Sequence, residues 1–240
     1  MRIGLGYVRS VGEEEATAIT AGQPYLDIGD LARRAAADRD ALQALVASGA
    51  CDVWGERRPL LWRLGVTPRP AGGQLTLPIG PTAETPKLPS QTDWERMLAD
   101  YKHTTLSVGV HPMELLRPHL LEPCVSSDEL SGVPHGARIA VAGMAVARQR
   151  PATAKGVVFM LLEDEFGQVN LIVPPPVYDR FRAVVRGEPL LLARGRFERV
   201  ERNENLVVEE LETLGALARR VASEAEVGSA LPRAHHFGHR

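Results

Sequence analysis

Cysteine, aromatic residues and long apolar runs are all scarce in this 240-residue chain. The two cysteines, Cys51 and Cys124, lie far apart with no Cys-x-x-Cys. That excludes a disulfide scaffold or a cysteine zinc site and predicts a reducing, cytoplasmic setting. No stretch approaches the ~20 consecutive apolar residues of a membrane span, so no membrane role is expected. Met1-Arg2-Ile3-Gly4-Leu5-Gly6 offers no apolar core for a secretory signal. Neither Gly-x-x-x-x-Gly-Lys-Ser/Thr nor Gly-x-Ser-x-Gly occurs, which removes two common enzyme signatures. With 5% aromatics, few residues can stack on a base. A net charge of −2 excludes a uniformly basic nucleic-acid coat but allows a local basic face. The 44% hydrophobic and 24% charged content is that of a soluble globular protein of one large domain or two to three small ones.

What is present falls into segments. Residues 1–65 carry apolar positions at helical spacing over Glu13–Ala21, Asp27–Ala37, Asp40–Ser48 and Arg58–Leu64, with Gly49 a natural stop. Residues 66–92 are so rich in Pro and Gly that they read as a strap or linker. Residues 93–135 form a connector: Asp93 caps a helix to about Tyr101, and Pro112 begins a short one ending near Arg117. From 136 to 214 the pattern turns to strands, at Ile139–Ala147, Val157–Leu162, Val169–Val173, Leu190–Phe197 and Leu206–Leu211. A helix over Val177–Val185 lies between the third and fourth. Five strands in that order predict an OB-fold barrel. Residues 215–240 read as a tail, frayed or helical. The predicted class is α+β: a helical helix-hairpin-helix module followed by a five-stranded OB-fold β-barrel.

The run Tyr7-Val8-Arg9-Ser10-Val11-Gly12, followed by a helix from Glu13, has the form of a helix-hairpin-helix turn. Such a turn aims backbone N–H groups and a helix dipole at phosphate, whatever the base sequence. It places Arg9, Val11 and Gly12 at the DNA backbone, with Gly12 needing a conformation that a Cβ disfavours. Against this, Ser10 stands where a first glycine is usual, and Glu13, Glu14 and Glu15 repel phosphate. A hairpin that only packs is the alternative.

The barrel segment has ten basic and six acidic residues between Arg138 and Arg199, a local excess of four. Arg148, Arg150 and Lys155 fall in the expected loop between strands one and two, where OB barrels grip oligonucleotides. Arg194 and Arg196 share one face of strand four. Phe159 reads either as a stacking ring or as core, and Asn170 as an amide for a base edge. Within the strap, Gln74, Leu75 and Leu77 have the spacing of a peptide that fills a sliding-clamp pocket, but Pro78 stands where an aromatic is usual, and a linker with incidental leucines is the favoured reading. Glu163-Asp164-Glu165 reads as a solvated turn rather than a metal site. His235, His236 and His239 in a glycine-containing tail make a poor metal set, so no metal and no cofactor are expected.

The order of these pieces resembles the C-terminal region of bacterial C-family DNA polymerases. Three stretches carry the likeness: Leu5–Gly12; Asp100-Tyr101 through Gly109-Val110-His111-Pro112 to Pro118; and Arg148-Gln149-Arg150-Pro151-Ala152-Thr153-Ala154-Lys155-Gly156 through Leu171. The third resembles the error-prone branch. The resemblance implies DNA binding for translesion synthesis, with the hairpins on the duplex backbone and the barrel on the single-stranded template. The palm aspartates of that family would lie upstream, so the chain is expected to have no enzymatic activity of its own. The expected partners are single-stranded and primed DNA, with a sliding clamp and other mutasome proteins in second place. A protein-docking scaffold and an independent single-strand binder are the other readings.

Overall fold

The computed structural model describes residues 3–35, 37–66, 86–200, 203–222 and 235–237. Gln74, Leu75 and Leu77 therefore lie outside the described residues, as does His239. The chain divides into two compact units, Met1–Ser107 and Val108–Arg240, and the division falls within the 93–135 segment.

The first unit is helical: α1 (Glu13–Ala21), α2 (Ile28–Arg34), α3 (Arg39–Ala47), α4 (Arg57–Val66) and α5 (Asp93–Thr104). Three starts are set by short polar side chains: Asp27 accepts from the Asp30 N–H, Asp38 from the Ala41 N–H and Thr92 from the Glu95 N–H. The apolar faces meet in one core that includes Val11, Ile19, Ile28, Leu31, Leu42, Leu45 and Leu60. Arg57 is buried and ties α4 to its neighbours. It donates to Asp100 at 2.7 Å, to the Ala47 carbonyl at 2.9 Å and to Asp52 at 3.2 Å. Cys51 is free, and burial pushes its thiol up to about 12.

The second unit contains α6 (Pro112–Leu116), then β1 (Arg138–Gln149), β2 (Val158–Glu163), β3 (Gln168–Val173), α7 (Pro175–Arg180), α8 (Arg182–Gly187), β4 (Leu190–Val200), β5 (Asn203–Thr213), α9 (Gly215–Val221) and β6 (His235–Phe237). Strands pair in the order β1-β2-β3-β5-β4 and close through β4–β1, with β3–β5 parallel and the other four pairings antiparallel. That closed order, with its helical insert between β3 and β4, is the OB arrangement. The fold class read from sequence is the one observed.

Alternation places Val158, Met160 and Leu162 of β2 and Val169, Leu171 and Val173 of β3 inside, around Phe197 and Leu206. The single helix expected over Val177–Val185 is two short ones, broken at Phe181 (φ −111°, ψ 26°). Gly195 marks a shift in register between β4 and β5, and a Cβ there would collide with the Val207 carbonyl oxygen. The tail contributes α9 and β6, which adds in parallel to Ala147–Gln149. Among the described residues, no helix is long and apolar enough to cross a membrane.

Candidate nucleic-acid interface

The hairpin comes first in the chain. Leu5–Tyr7 forms a single 3₁₀ turn, and Val8 and Val11 are buried beneath it. Ser10 takes the left-handed conformation (φ 68°). Gly12 does not: its φ is −75° and ψ 168°, and the atom nearest an added Cβ would be a Glu15 carboxylate oxygen at 3.7 Å. The expectation that Gly12 needs glycine's freedom is therefore corrected, because Ser10 makes the turn. The N–H groups proposed for phosphate are also occupied. Val11 donates to the Val8 carbonyl at 3.1 Å, and Gly12 donates to Glu15 at 2.9 Å. Glu15 further accepts from the Asp38 N–H at 3.1 Å. Arg9 is exposed, with its own N–H bonded to the His103 carbonyl at 2.7 Å. Only the Arg9 side chain of this trio projects to solvent.

On the barrel, the register defines an outward face. One row runs across Gln149, Phe159, Ile172, Val207 and Arg196; the next runs across Leu161, Asn170, Asn205 and Glu198. Phe159 is 39% exposed, so it is a surface ring and not core. Alternation in β2 decides this, since Val158 and Met160 on either side point inward. Asn170 is exposed and its amide reaches the Glu204 carbonyl only at 3.5 Å, leaving its donors largely uncommitted. Gln149, Leu161, Ile172, Asn205 and Val207 were not singled out from sequence. Shared parity within a strand is the signal for Leu161, with Phe159, and for Ile172, with Asn170; Gln149, Asn205 and Val207 join the face through inter-strand register, which no single strand reports.

The basic residues are less uniform than their charge implies. Arg148 is not in a loop: β1 extends to Gln149, and Arg148 is 5% exposed, donating to the Glu188 carbonyl. Its Nε is buried with no partner, and burial pulls its guanidinium below the ordinary value, against the pull of Glu188. Arg148 therefore holds the barrel together and is withdrawn from any DNA surface. Arg150 stacks on the Tyr178 ring, 4.5 Å from its centroid. Lys155 is exposed in a left-handed conformation (φ 47°).

Arg194 and Arg196 do face outward together, but carboxylates hold both. Arg194 bonds Glu122, meets Glu212 at 2.8 Å and Glu210 at 3.5 Å, and its pKa is raised by these bonds. Arg196 pairs with Glu198 at 3.2 Å.

The acidic turn is also not simply solvated. Asp164 is 4% exposed and accepts from the Ser127 N–H at 2.7 Å, the Phe166 N–H at 3.0 Å and the Gly167 N–H at 2.9 Å. Arg117 braces it at 3.3 Å and pairs with Glu165 as well. Burial works to raise the Asp164 carboxyl, yet hydrogen bonds from Ser127, Gly167 and Phe166 hold it below its usual value. Among the described residues, no group of three or more His, Cys, Asp or Glu side chains is arranged to hold a metal ion.

A helical hairpin unit and a closed OB-type barrel define a two-module α+β protein. Residues 1–61 match the helix-hairpin-helix motif family. Beyond that class, the chain is similar to the C-terminal region of error-prone DNA polymerases. It is 41% identical over 231 residues to the error-prone DNA polymerase of Anaeromyxobacter dehalogenans (strain 2CP-1), covering 94% of this chain and 20% of that one. It is 40% identical over 223 residues to the enzyme of Xanthomonas campestris pv. campestris (strain B100), and 37% identical over 217 residues to that of Corynebacterium efficiens. The chain spans about a fifth of the length of the curated relatives it matches. Among solved structures, asparaginyl-tRNA synthetase from Pyrococcus horikoshii complexed with asparaginyl-adenylate aligns over 40% of this chain and 23% of its own, at 20% identity and a TM-score of 0.34. An OBody (AM1L10) bound to hen egg-white lysozyme aligns over 34% of this chain and 81% of its own, at 17% identity and a TM-score of 0.28.

Proposed function

We propose that this chain is the DNA-binding portion of an error-prone DNA polymerase and that its barrel holds single-stranded template. The observation that carries the proposal is the outward row Gln149–Phe159–Ile172–Val207, with Phe159 at the surface and the Arg150–Lys155 loop at its end. An exposed ring flanked by aliphatic side chains takes any base by stacking, and neighbouring amides and cations add edge and backbone contacts. Little sequence preference follows from this. Translesion synthesis, the duplex and primed-DNA contacts, and clamp or mutasome partners belong to the same proposal; the likeness to error-prone DNA polymerases supports the first.

The test is anisotropy of a labelled oligothymidylate with the full chain. Phe159→Ala is expected to weaken binding by about 1–3 kcal/mol, the worth of one stacked base. Equal affinity in the folded variant would remove the barrel face from the proposal.

A second reading applies to the helical unit alone: a protein-docking scaffold rather than a duplex clamp. The observation in its favour is that Glu15 occupies the Gly12 donor of the hairpin. Duplex titration of the full chain across salt separates the two, because backbone contacts lose affinity steeply with salt and an apolar docking surface does not.

A further inference from the structure

Sorting the cations of the barrel unit by partner divides them sharply. Arg194, Arg196, Arg199 and Arg138 are each paired with glutamates of the β4–β5 side or its surroundings. Arg117 is committed to the acidic turn, and Arg148 is buried. Apart from Arg219 and Arg220 of α9, the cations that make no ion pair among the described residues are Arg150, Lys155, Arg180, Arg182 and Arg186. Arg180, Arg182 and Arg186 are exposed on α7 and α8, where Asp179 is the sole carboxylate.

These five are brought to one end of the barrel by fixed contacts. Arg150 lies over Tyr178 of α7, and a Cβ on Gly156 would lie 3.6 Å from Pro175 at the start of α7. Arg148 reaches the Glu188 carbonyl just beyond α8. The loop after β1 and the α7–α8 pair are thus bound to each other on both sides. Phe159 and Ile172, opposite each other, sit at this same end of the β2–β3 hairpin, next to Val158 and Val173. The other end is the Glu163-Asp164-Glu165 turn. The outward face therefore runs from a net basic end, where Asp179 and Glu188 are the carboxylates, to an acidic one. Arg182 and Arg186 are one helical turn apart and share a face of α8.

We propose that Arg180, Arg182 and Arg186 form a backbone track on α7–α8, so that a single strand stacked on Phe159 leaves the sheet over these helices and not along β4. The track rests on the single-strand reading of the barrel and extends it to a surface outside the sheet. Each lost phosphate contact lowers the salt slope of single-strand binding by about 0.7. Arg182→Gln with Arg186→Gln removes two exposed, unpaired charges and leaves the core untouched. The double variant is expected to bind oligothymidylate more weakly, with a slope shallower by about 1.4. Its deficit against the parent then shrinks by about sevenfold between 50 and 200 mM salt. Arg196→Gln, whose charge Glu198 already balances, is expected to leave the slope unchanged.

Phe159→Ala in the same titration separates the two levels. If Phe159→Ala weakens binding and the double variant keeps the parental slope, the track is wrong and the stacking face stands. If the parent fails to bind or Phe159→Ala changes nothing, both fall. A slope change in Arg196→Gln as large as in the double variant would move the strand onto β4 and overturn the track. Circular dichroism verifies that each variant is folded.

Discussion

Replacing Asp164 probes the part of the barrel whose role departs furthest from its appearance in the sequence. Asp164→Ala removes an acceptor that serves three backbone N–H groups, of Ser127, Phe166 and Gly167, and one Ser127 hydroxyl. It also leaves Arg117 with Glu165 and the Cys124 carbonyl. A net hydrogen bond to a charged group is worth about 1.5–3 kcal/mol, but the Phe166 and Gly167 N–H groups lie at a surface turn where water can replace part of the loss. A total of about 3 kcal/mol is the expected cost, within the range for breaking a buried charged network. Amide exchange of β2 and β3 reads it locally: about 3 kcal/mol is a hundredfold loss of protection in those strands. The sign with pH follows from the depressed carboxyl. Its stabilising contribution is complete above the unfolded carboxylate range, near pH 4, and disappears as pH falls through the lower folded value. Asp164→Ala should therefore lack that acid-dependent loss. A variant whose exchange rates stay within threefold of the parent, with the acid transition intact, would refute the bracing role.

Arg150→Ala with Lys155→Ala should cost about 1 kcal/mol, the worth of the Arg150–Tyr178 stack, and lower the single-strand salt slope, whereas Arg148→Ala should destabilise the barrel by about 1–3 kcal/mol and leave the slope unchanged; urea titration and anisotropy distinguish them. Gly12→Ala should fold normally and keep its duplex affinity, because neither conformation nor space requires glycine there; a large loss of binding in a folded variant would restore the hairpin's phosphate role. Gly195→Ala should be strongly destabilising, by about 3 kcal/mol or more in a melting experiment, since its methyl meets the Val207 carbonyl. The purified chain should extend no primed template with Mg²⁺ and dNTPs, as two-metal transfer needs carboxylates fixed about a metal pair ≈ 3.5–4 Å apart; template-dependent incorporation would overturn that expectation.

The strands are legible because β3 begins with clean alternation, β2 is a short apolar run of strand length, and Gly167 marks the turn between them. Arg148 was misplaced for a local reason. The apolar pattern of β1 stops at Ala147, but pairing with β2 carries the ladder to Gln149, and an arginine stem can be buried where a carbonyl receives its head. The bracing of Asp164 depends on Ser127, 37 residues earlier, a contact that no periodicity reports. Parity placed Arg194 and Arg196 on one face correctly. Their neutralisation depends on register, which sets Arg194 opposite Glu210, and on Glu122 from outside the sheet. Phe159 could not be resolved from the sequence because Val157–Leu162 is apolar on both parities. Only the inward seating of its two neighbours decides it.

The left-handed backbone at Lys155 has a cost that frames how this loop can be altered. A side chain in that region is disfavoured by about 1–2 kcal/mol, and Lys155 is followed by Gly156, also at positive φ. Glycine at 155 would relieve the strain and remove a charge from the mouth of the barrel. On the proposed single-strand reading, Lys155→Gly sets fold stability against ligand affinity at one position. Any programme that selects this domain for heat resistance alone will be drawn to that substitution, and the loop it yields will be sturdier and less adhesive to a polyanion.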